Sequence, residues 1–448
     1  MMRVNIFPDQ LLLASVFVLC ILLVGVRGQS PPSADHASVY LSSAGRSADD
    51  LVAYALANNG ELTAIRREVE AAEALVKQAG YRANPEFEIS GTKEPGMSGN
   101  SQMAKGMLPL ELFSRRSLRI KAAQRELDVR NYALADRERI LAADVRAKFG
   151  ETLALIYKLQ FADETLAAAT QNYDLVAARV TEGKTAPLEG NMVMVELNRI
   201  RALRESAVGQ VEIALLELRN LAGMRGDEPL QLRGDFSNLL DALPPQEIGT
   251  EQAVRLRPDL QTTHALIGLA EAKIEQARAQ GKPDASVSLG VERSDSGFPF
   301  RAFDPASQLV PIRGTFKMIT FGVTITLPVF DKNTGNIEAA VADRSAAESR
   351  AEFGELTVRR EVAAAYARYK AASRAMEIYR VGVEKQSAEN LDVVRQTYEL
   401  GSRTLLDYIA EQRRYIEVKN GYIDAQRETY QARIDILRAM SAPELINK

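Results

Sequence analysis

Few residues of this 448-residue chain are equipped for covalent or metal chemistry: it has two His, His36 and His264, and one Cys, Cys20. That inventory removes a Cys/His zinc site, a disulfide framework and a Cys–His nucleophile. No G-x-x-x-x-G-K-S/T phosphate loop and no H-E-x-x-H metalloprotease motif occurs, and two His supply no convincing Ser/His/Asp set. A lone His is more often a surface or core residue than a ligand, so neither is taken as a metal site, no cofactor is expected, and the chain does not read as an enzyme. What remains is electrostatic. In Tyr398-Glu399-Leu400-Gly401-Ser402-Arg403-Thr404-Leu405-Leu406-Asp407, Arg403 and Asp407 stand four apart. On a helix they would share one face, able to pair with each other or with neighbours. The plainer reading is an exposed pair contributing about 0.3–0.5 kcal/mol. An earlier stretch, Gly183-Lys184-Thr185 followed by Leu188-Glu189, repeats the glycine and the acid but not the Arg–Asp spacing.

The elements around these residues follow from composition. Hydrophobic residues make up 46% of the chain but aromatics only 6%, with no Trp, so the apolar content is largely Ala, Leu, Val and Ile. That favours long, closely packed helices. A net charge of −3 does not suggest a nucleic-acid partner. An apolar run from Leu11 to Val26 follows Arg3; it is shorter than the roughly 20 residues needed to span a bilayer, and small residues at Val26 and Gly28 precede a polar stretch. Residues 1–28 therefore read as a signal peptide, cleaved after Gly28, with Cys20 in the discarded part. No later run approaches the length of a membrane helix, so a membrane crossing would require a closed β-barrel.

The mature chain is written twice. An offset of 198 residues places Leu62 on Leu260, Ala72-Glu73-Ala74 on Ala270-Glu271-Ala272 and Pro85 on Pro283. An offset about 20 residues larger places Leu108-Pro109 on Leu327-Pro328, Asn172 on Asn390, Gly183 on Gly401 and Glu189 on Asp407. The plan is a 29–47 tail, a first repeat over 48–222, a linker over 223–249, a second repeat over 250–440 and a 441–448 tail. Each repeat predicts a helix of about 34 residues (48–82, 250–281), two strands, a long helix (114–182, 335–400), a Gly-marked turn and another helix of about 34 residues (188–222, 405–440). At 1.5 Å per residue the long helix reaches roughly 100 Å and each shorter one about 50 Å, so two short helices stacked end to end would run beside one long one. Val145, Phe149, Leu153, Ile156 and Leu159 form one stripe, as do Val358, Val362, Tyr366 and Tyr369.

Strands are predicted at 85–91, 102–112, 285–291 and 317–330. Ile319, Phe321, Val323, Ile325, Leu327 and Val329 alternate with Thr320, Gly322, Thr324, Thr326 and Pro328, a pattern suited to a membrane barrel about 10–12 residues tall. Four strands cannot close a barrel; three chains would supply twelve. The fold class is mainly α with membrane β: a duplicated coiled-coil tunnel with four strands per chain.

LPLELFSRR (108–116), ARVTEGKTAPLEGN (178–191), RPDLQTTHALIGLAEAKIEQAR (257–278) and LPVFDKNTGN (327–336) resemble, in this order, the TolC-like outer-membrane efflux channels. The nearest branch is the outer-membrane component of resistance–nodulation–division heavy-metal efflux systems. The resemblance implies a homotrimer with a shared twelve-stranded barrel in the outer-membrane lipid, a periplasmic helical tunnel and a belt that includes 223–249. It also implies a periplasmic adaptor (membrane fusion) protein and an inner-membrane resistance–nodulation–division pump as partners. The chain would then be a passive exit duct of a tripartite pump in a Gram-negative outer membrane, with metal cations as the substrate implied by the branch alone. By the same resemblance Tyr398, Arg403 and Asp407 hold the tunnel shut, with Arg403 and Asp407 in three-fold rings, and Gly183, Lys184, Thr185, Gly401, Ser402 and Arg403 are adaptor-docking tips. Phe113-Ser114 stands where many relatives have Gly-Gly, and Ala410, beside Glu411, replaces a second gate acid. A periplasmic adaptor would carry one hairpin rather than two, and an exported coiled-coil structural protein would lack matched strands. A hydrolase has no catalytic set to support it.

Overall fold

The computed structural model describes residues 37–93, 99–236 and 243–446. The apolar run 11–26, its cleavage site, Cys20 and His36 lie outside the described residues. Among the described residues, ten α-helices and five strands follow a doubled order: α1 (Ala37–Tyr40), β1 (Leu41–Arg46), α2 (Ala48–Asn58), α3 (Gly60–Gly80), β2 (Glu86–Lys93), β3 (Asn100–Pro109), α4 (Arg115–Thr181) and α5 (Pro187–Ala222), then α6 (Gln246–Leu256), α7 (Pro258–Gln280), β4 (Asp284–Phe303), β5 (Leu309–Thr326), α8 (Thr334–Ile378), α9 (Glu384–Glu399) and α10 (Leu405–Ala439). Among the described residues no helix is long and apolar enough to cross a membrane.

α4 is one helix of 67 residues, roughly 100 Å long. It packs on α3 and α5 from its own repeat and on α7 and α10 from the other. Its stripe is buried as expected: Val145, Phe149, Leu153, Ile156 and Leu159 are all sealed. This core also gathers Leu51, Leu218, Phe236 and Tyr430 from α2, α5, the linker and α10. Gly150 is required there, because a Cβ would lie 2.3 Å from the Tyr430 ring.

Three of the predicted helices are corrected. The 48–82 helix is broken at Asn59 and the 250–281 helix at Arg257, positions related by the same 198-residue offset. Both residues are extended. The Asn59 carboxamide accepts from Leu62 N at 3.0 Å and donates to the Leu221 carbonyl at 3.0 Å, so it caps α3 and holds the end of α5. Arg257 precedes Pro258, which disfavours helical geometry at 257. Its guanidinium reaches Asp259 at 2.5 Å and Glu361 at 2.6 Å, and donates to the Ala439 carbonyl at the end of α10. Each break thus ties to the end of the second short helix of its own repeat. The long helix predicted over 335–400 is also not uniform: a π-helical turn, Tyr379–Val383, separates α8 from α9. The Tyr379 ring sits over Gly421 of α10, where a Cβ would come within 2.9 Å of its hydroxyl.

Within the 29–47 tail, the described residues 37–47 are tied to the linker. Arg46 N donates to Gln231 O and Arg233 N donates to Arg46 O, both at 2.9 Å, joining β1 to the linker. Residues 444–445 are held too: Arg146 of α4 donates to the Leu445 and Glu444 carbonyls at 3.0 Å and pairs with Asp49 at 2.7 Å.

The strands form one antiparallel sheet in the order β2-β3-β4-β5, so the two repeats meet at β3–β4 and the outer edges belong to β2 and β5. β4 and β5 run 20 and 18 residues, well beyond the predicted 285–291 and 317–330 at one end. At the other end β5 stops at Thr326, before Leu327-Pro328, where proline offers no ladder donor. Register puts Phe87, Ile89, Leu108, Val287, Leu289, Val291, Ile319, Phe321, Val323 and Ile325 on one face. Glu86, Glu88, Lys105, Ser286, Ser288, Glu292, Thr320 and Thr324 share the other. Phe321 is 88% exposed, in the middle of a contiguous apolar face of the kind that marks contact with a membrane or another surface.

Candidate functional site

The two helical hairpins, α4/α5 and α9/α10, turn at matched glycines. Gly183 and Gly401 adopt φ of 73° and 76°, the left-handed region that closes a helix end. Gly183 N donates to Val180 O and Lys184 N to Arg179 O; Gly401 N donates to Tyr398 O and Ser402 N to Thr397 O. The repeat is therefore kept down to individual hydrogen bonds. Lys184 pairs with Glu182 at 2.8 Å and is largely exposed, Thr185 is half-buried, and Gly401, Ser402 and Arg403 are exposed. Leu188 and Leu406, at equivalent places one step inside α5 and α10, are 68% and 62% exposed.

The expected Arg403–Asp407 helix face does not form. Thr404 is the N-cap of α10, so Arg403 lies in the turn before the helix and the four-residue spacing no longer aligns the pair. Asp407 is the third residue of the helix and closes a capping box: its carboxylate accepts from Thr404 N at 3.1 Å and from the Thr404 hydroxyl at 2.9 Å, while Thr404 Oγ1 accepts from Asp407 N at 3.2 Å. The Thr404 hydroxyl and amide hold the Asp407 carboxyl below the usual carboxylate range, with Arg403 adding a smaller electrostatic pull. The Thr-x-x-Asp signature of this box was present in the sequence.

Tyr398 stacks on Tyr408, ring centroids 5.8 Å apart and planes 9° apart. Both belong to a small core at the tip with Val176, Val193, Leu405 and Ile409. Burial raises the Tyr398 hydroxyl pKa, nearby Glu189 adds to this and Arg179 opposes it. The structure thus brings Tyr398 into the hairpin packing, Asp407 into a cap, and leaves Arg403 outside both.

The ion cluster that joins the hairpins was not foreseen. Glu196 of α5 has a side chain 4% exposed. Its Oε2 accepts from Arg413 of α10 at 2.6 and 3.1 Å, and its Oε1 accepts from Arg199 at 2.5 and 2.9 Å. Burial pushes this carboxyl up, but the two guanidinium groups outweigh it and hold it below its ordinary value. Further from the tip, Lys158 of α4 meets Asp424 of α10 at 2.7 Å and Phe161 packs edge-on against Tyr415. His264 lies on α7, and among the described residues no group of three His, Cys, Asp or Glu is placed to hold a metal ion.

The family model described as outer membrane efflux protein matches residues 51–224 and 250–442. The cobalt-zinc-cadmium resistance protein CzcC of Cupriavidus metallidurans is 24% identical over 397 residues, covering 86% of this chain and 88% of the relative. Outer membrane protein OprJ of Pseudomonas aeruginosa is 26% identical, covering 87% and 83%. Among solved structures, CusC, whose description concerns folding and transmembrane channel formation, superposes with a TM-score of 0.71 at 20% identity, covering 88% of this chain and 91% of that one.

Proposed function

The chain belongs to the outer membrane efflux protein family, and from that premise we propose that three copies assemble into an exit duct for a tripartite pump. It is an outer-membrane efflux protein extending into the periplasm, and its relatives are channels rather than enzymes. One observation carries the trimer: a four-stranded sheet with an apolar face, a polar face and two open edges, attached to a helical body whose longest helix is roughly 100 Å. Lipid does not tolerate open edges, because each unsatisfied backbone group there costs several kcal/mol. Pairing β2 of one copy with β5 of the next removes every edge and turns Phe321 and Ile325 toward lipid. The polar face then lines the pore, and the helices continue it as a tunnel whose far end is the Gly183 and Gly401 tips.

On this reading the exposed Leu188 and Leu406, with Lys184 and Arg403, are the surface offered to a periplasmic adaptor, through which an inner-membrane pump of the resistance–nodulation–division class would deliver substrate. Arg403, left outside the α10 cap, is the tip charge available to a neighbouring subunit. Metal cations are the proposed substrates, supported by the names of the cobalt-zinc-cadmium and nickel-cobalt-cadmium resistance relatives. The adaptor and coiled-coil alternatives give way to family membership. Detergent-extracted protein should be trimeric by light scattering and should conduct ions in planar bilayers. A water-soluble monomer refutes the duct. A deletion strain unchanged toward Co, Zn, Cd and Ni but sensitised to organic toxicants refutes the metal assignment alone.

A further inference from the structure

On the polar face of the sheet one row differs in chemistry from those beside it. Register sets Ser90, Met103, Glu292 and Met318 side by side on β2, β3, β4 and β5. Glu292 is thereby flanked by a thioether residue on each neighbouring strand, with directly opposed Cβ atoms ~4.5–5.5 Å apart. Its carboxylate is steadied from the same face, since Ser101 Oγ donates to Oε1 at 2.6 Å. Met318 is 45% exposed and Met103 half-buried, so both side chains lie within reach of the space in front of the carboxylate.

The adjacent rows are built differently. One step along, Glu88 faces Lys105, with Gly290 and Thr320 beyond, so a fixed ammonium stands opposite the acid. The next holds Glu86, Met107, Ser288 and Gly322, with a single Met. On the other side lie Thr92, Ser101, Ser294 and Phe316. Only the Glu292 row among these four puts two thioethers around one carboxylate. Thioether sulfur is a soft ligand that favours monovalent copper-group ions, and one carboxylate balances one positive charge. Hard and borderline divalent ions prefer sets of several oxygen or imidazole donors, and this row offers one carboxylate, one hydroxyl and no imidazole.

We propose that Met103, Glu292 and Met318 form a weak, exchangeable site for a soft monovalent cation, Cu(I) or Ag(I), on the wall of the duct. Three donors on an exposed wall leave coordination open to water and to the next ligand, which suits passage rather than storage. The donor set lies within one chain; its position facing the pore rests on the duct reading above.

The probe is Ag(I), which needs no reductant. Full-length protein in detergent micelles, labelled at the methionine methyl carbons, is titrated with silver nitrate in chloride-free buffer. Met103 and Met318 methyl resonances should shift together and saturate, while Met107, on the same face but without a second thioether, stays in place. Glu292→Gln should weaken the affinity about tenfold or more. Met103→Leu, which keeps volume and apolarity, should abolish saturation at Met318 without changing the melting temperature. Zn(II) should move neither methyl. Equal shifts at Met107, unsaturable shifts at all methionines, or an equal response to Zn(II) would overturn the proposal as adventitious thioether binding. Bilayer conductance is recorded on the same preparation. Conductance without the silver response refutes this site alone, and a silver response without conductance refutes the duct and leaves the site.

Discussion

Removing the Glu196 carboxylate tests whether the two hairpins are locked to each other. Glu196 takes four guanidinium hydrogen bonds, two from Arg199 on its own helix and two from Arg413 on α10. A hydrogen bond to a charged group contributes about 1.5–3 kcal/mol, but four on one carboxylate are not additive. Breaking a fully buried pair costs roughly 3–5 kcal/mol because the survivor stays dehydrated. Here the survivors are not trapped: the Arg413 and Arg199 side chains are 53% and 36% exposed. Glu196→Ala should therefore cost about 2–3 kcal/mol, below the fully buried range. Arg413→Ala should cost about 1 kcal/mol, since Arg199 still neutralises the acid and half of Arg413 is already in water. Thermal unfolding in detergent of wild type, both single variants and the double variant gives the coupling, expected at about 1–2 kcal/mol. The pH dependence has a definite sign. The folded carboxyl is held below its unfolded value, so its contribution is fully present above about pH 4–5 and is lost as pH falls through the folded pKa. The gap between wild type and Glu196→Gln should thus be flat near neutrality and close in acid. In bilayers, Glu196→Ala should open more often, because one hairpin is released from the other. Additive variants, or a gap that widens in acid, would refute the lock.

Three other outcomes are expected. Thr404→Ala should destabilise by about 1 kcal/mol and raise the Asp407 pKa toward normal by NMR titration, while Thr404→Ser preserves both; if Arg403→Ala, Asp407→Ala and the pair leave single-channel conductance and cation preference unchanged, neither residue gates. Phe321→Arg or Ile325→Arg should cost roughly 2–4 kcal/mol near the bilayer midplane, whereas Thr324→Arg on the opposite face should fold and change ion preference; equal losses on both faces would remove the lipid assignment. Ser114→Gly should raise the melting temperature by an amount equivalent to about 0.5–1 kcal/mol, because Ser114 is held at φ 62° and makes no side-chain cap bond, and Ser114→Ala should not.

What could be read in advance was whatever repeats against a contrasting medium. The stripe from Val145 to Leu159 was legible because one face of α4 meets the core and the other does not. The alternation from Ile319 to Ile325 was legible for the same reason, with lipid as the second medium. It fades toward the outer ends of β4 and β5, where Arg293, Asp295, Arg301 and Lys317 appear and the strands nevertheless continue to Phe303 and from Leu309. Beyond the lipid band both faces meet water, so no contrast marks a strand. The breaks at Asn59 and Arg257 were hidden for the opposite reason: the helices on either side line the same wall, so apolar spacing runs through the break. Only local chemistry marks it, in Asn58-Asn59-Gly60 and Arg257-Pro258. The Glu196 cluster had no signal, since its partners on α5 and α10 are far apart in sequence and become neighbours only when both hairpins fold. The Phe113-Ser114 departure was visible, and its meaning came from geometry. Both residues have positive φ, as do Glu111 and Asn333, so the route from strand to long helix is left-handed and glycine is the unstrained choice there.

The two repeats keep one plan but are stiffened in different places. At the first tip the N-cap of α5 is Ala186, followed by Pro187; Glu189 occupies the place of Asp407, but the N-cap alanine has no hydroxyl and no side-chain cap forms. At the second tip Thr404 and Asp407 close the box, and Tyr398 stacks on Tyr408. Along the shaft the order is reversed: α4 is unbroken, whereas its counterpart carries the π-helical turn at Tyr379–Val383, braced by Tyr379 over Gly421 and by Lys419 on Glu384 at 2.6 Å. A π turn is a common place for a helix to bend. The hairpin that carries the bend is α9/α10, and Glu196 to Arg413 and Lys158 to Asp424 are ion pairs that reach it from α5 and α4. Duplication supplied two hairpins on one plan; a capping threonine and a π turn set the second apart, and one buried glutamate ties the first to it.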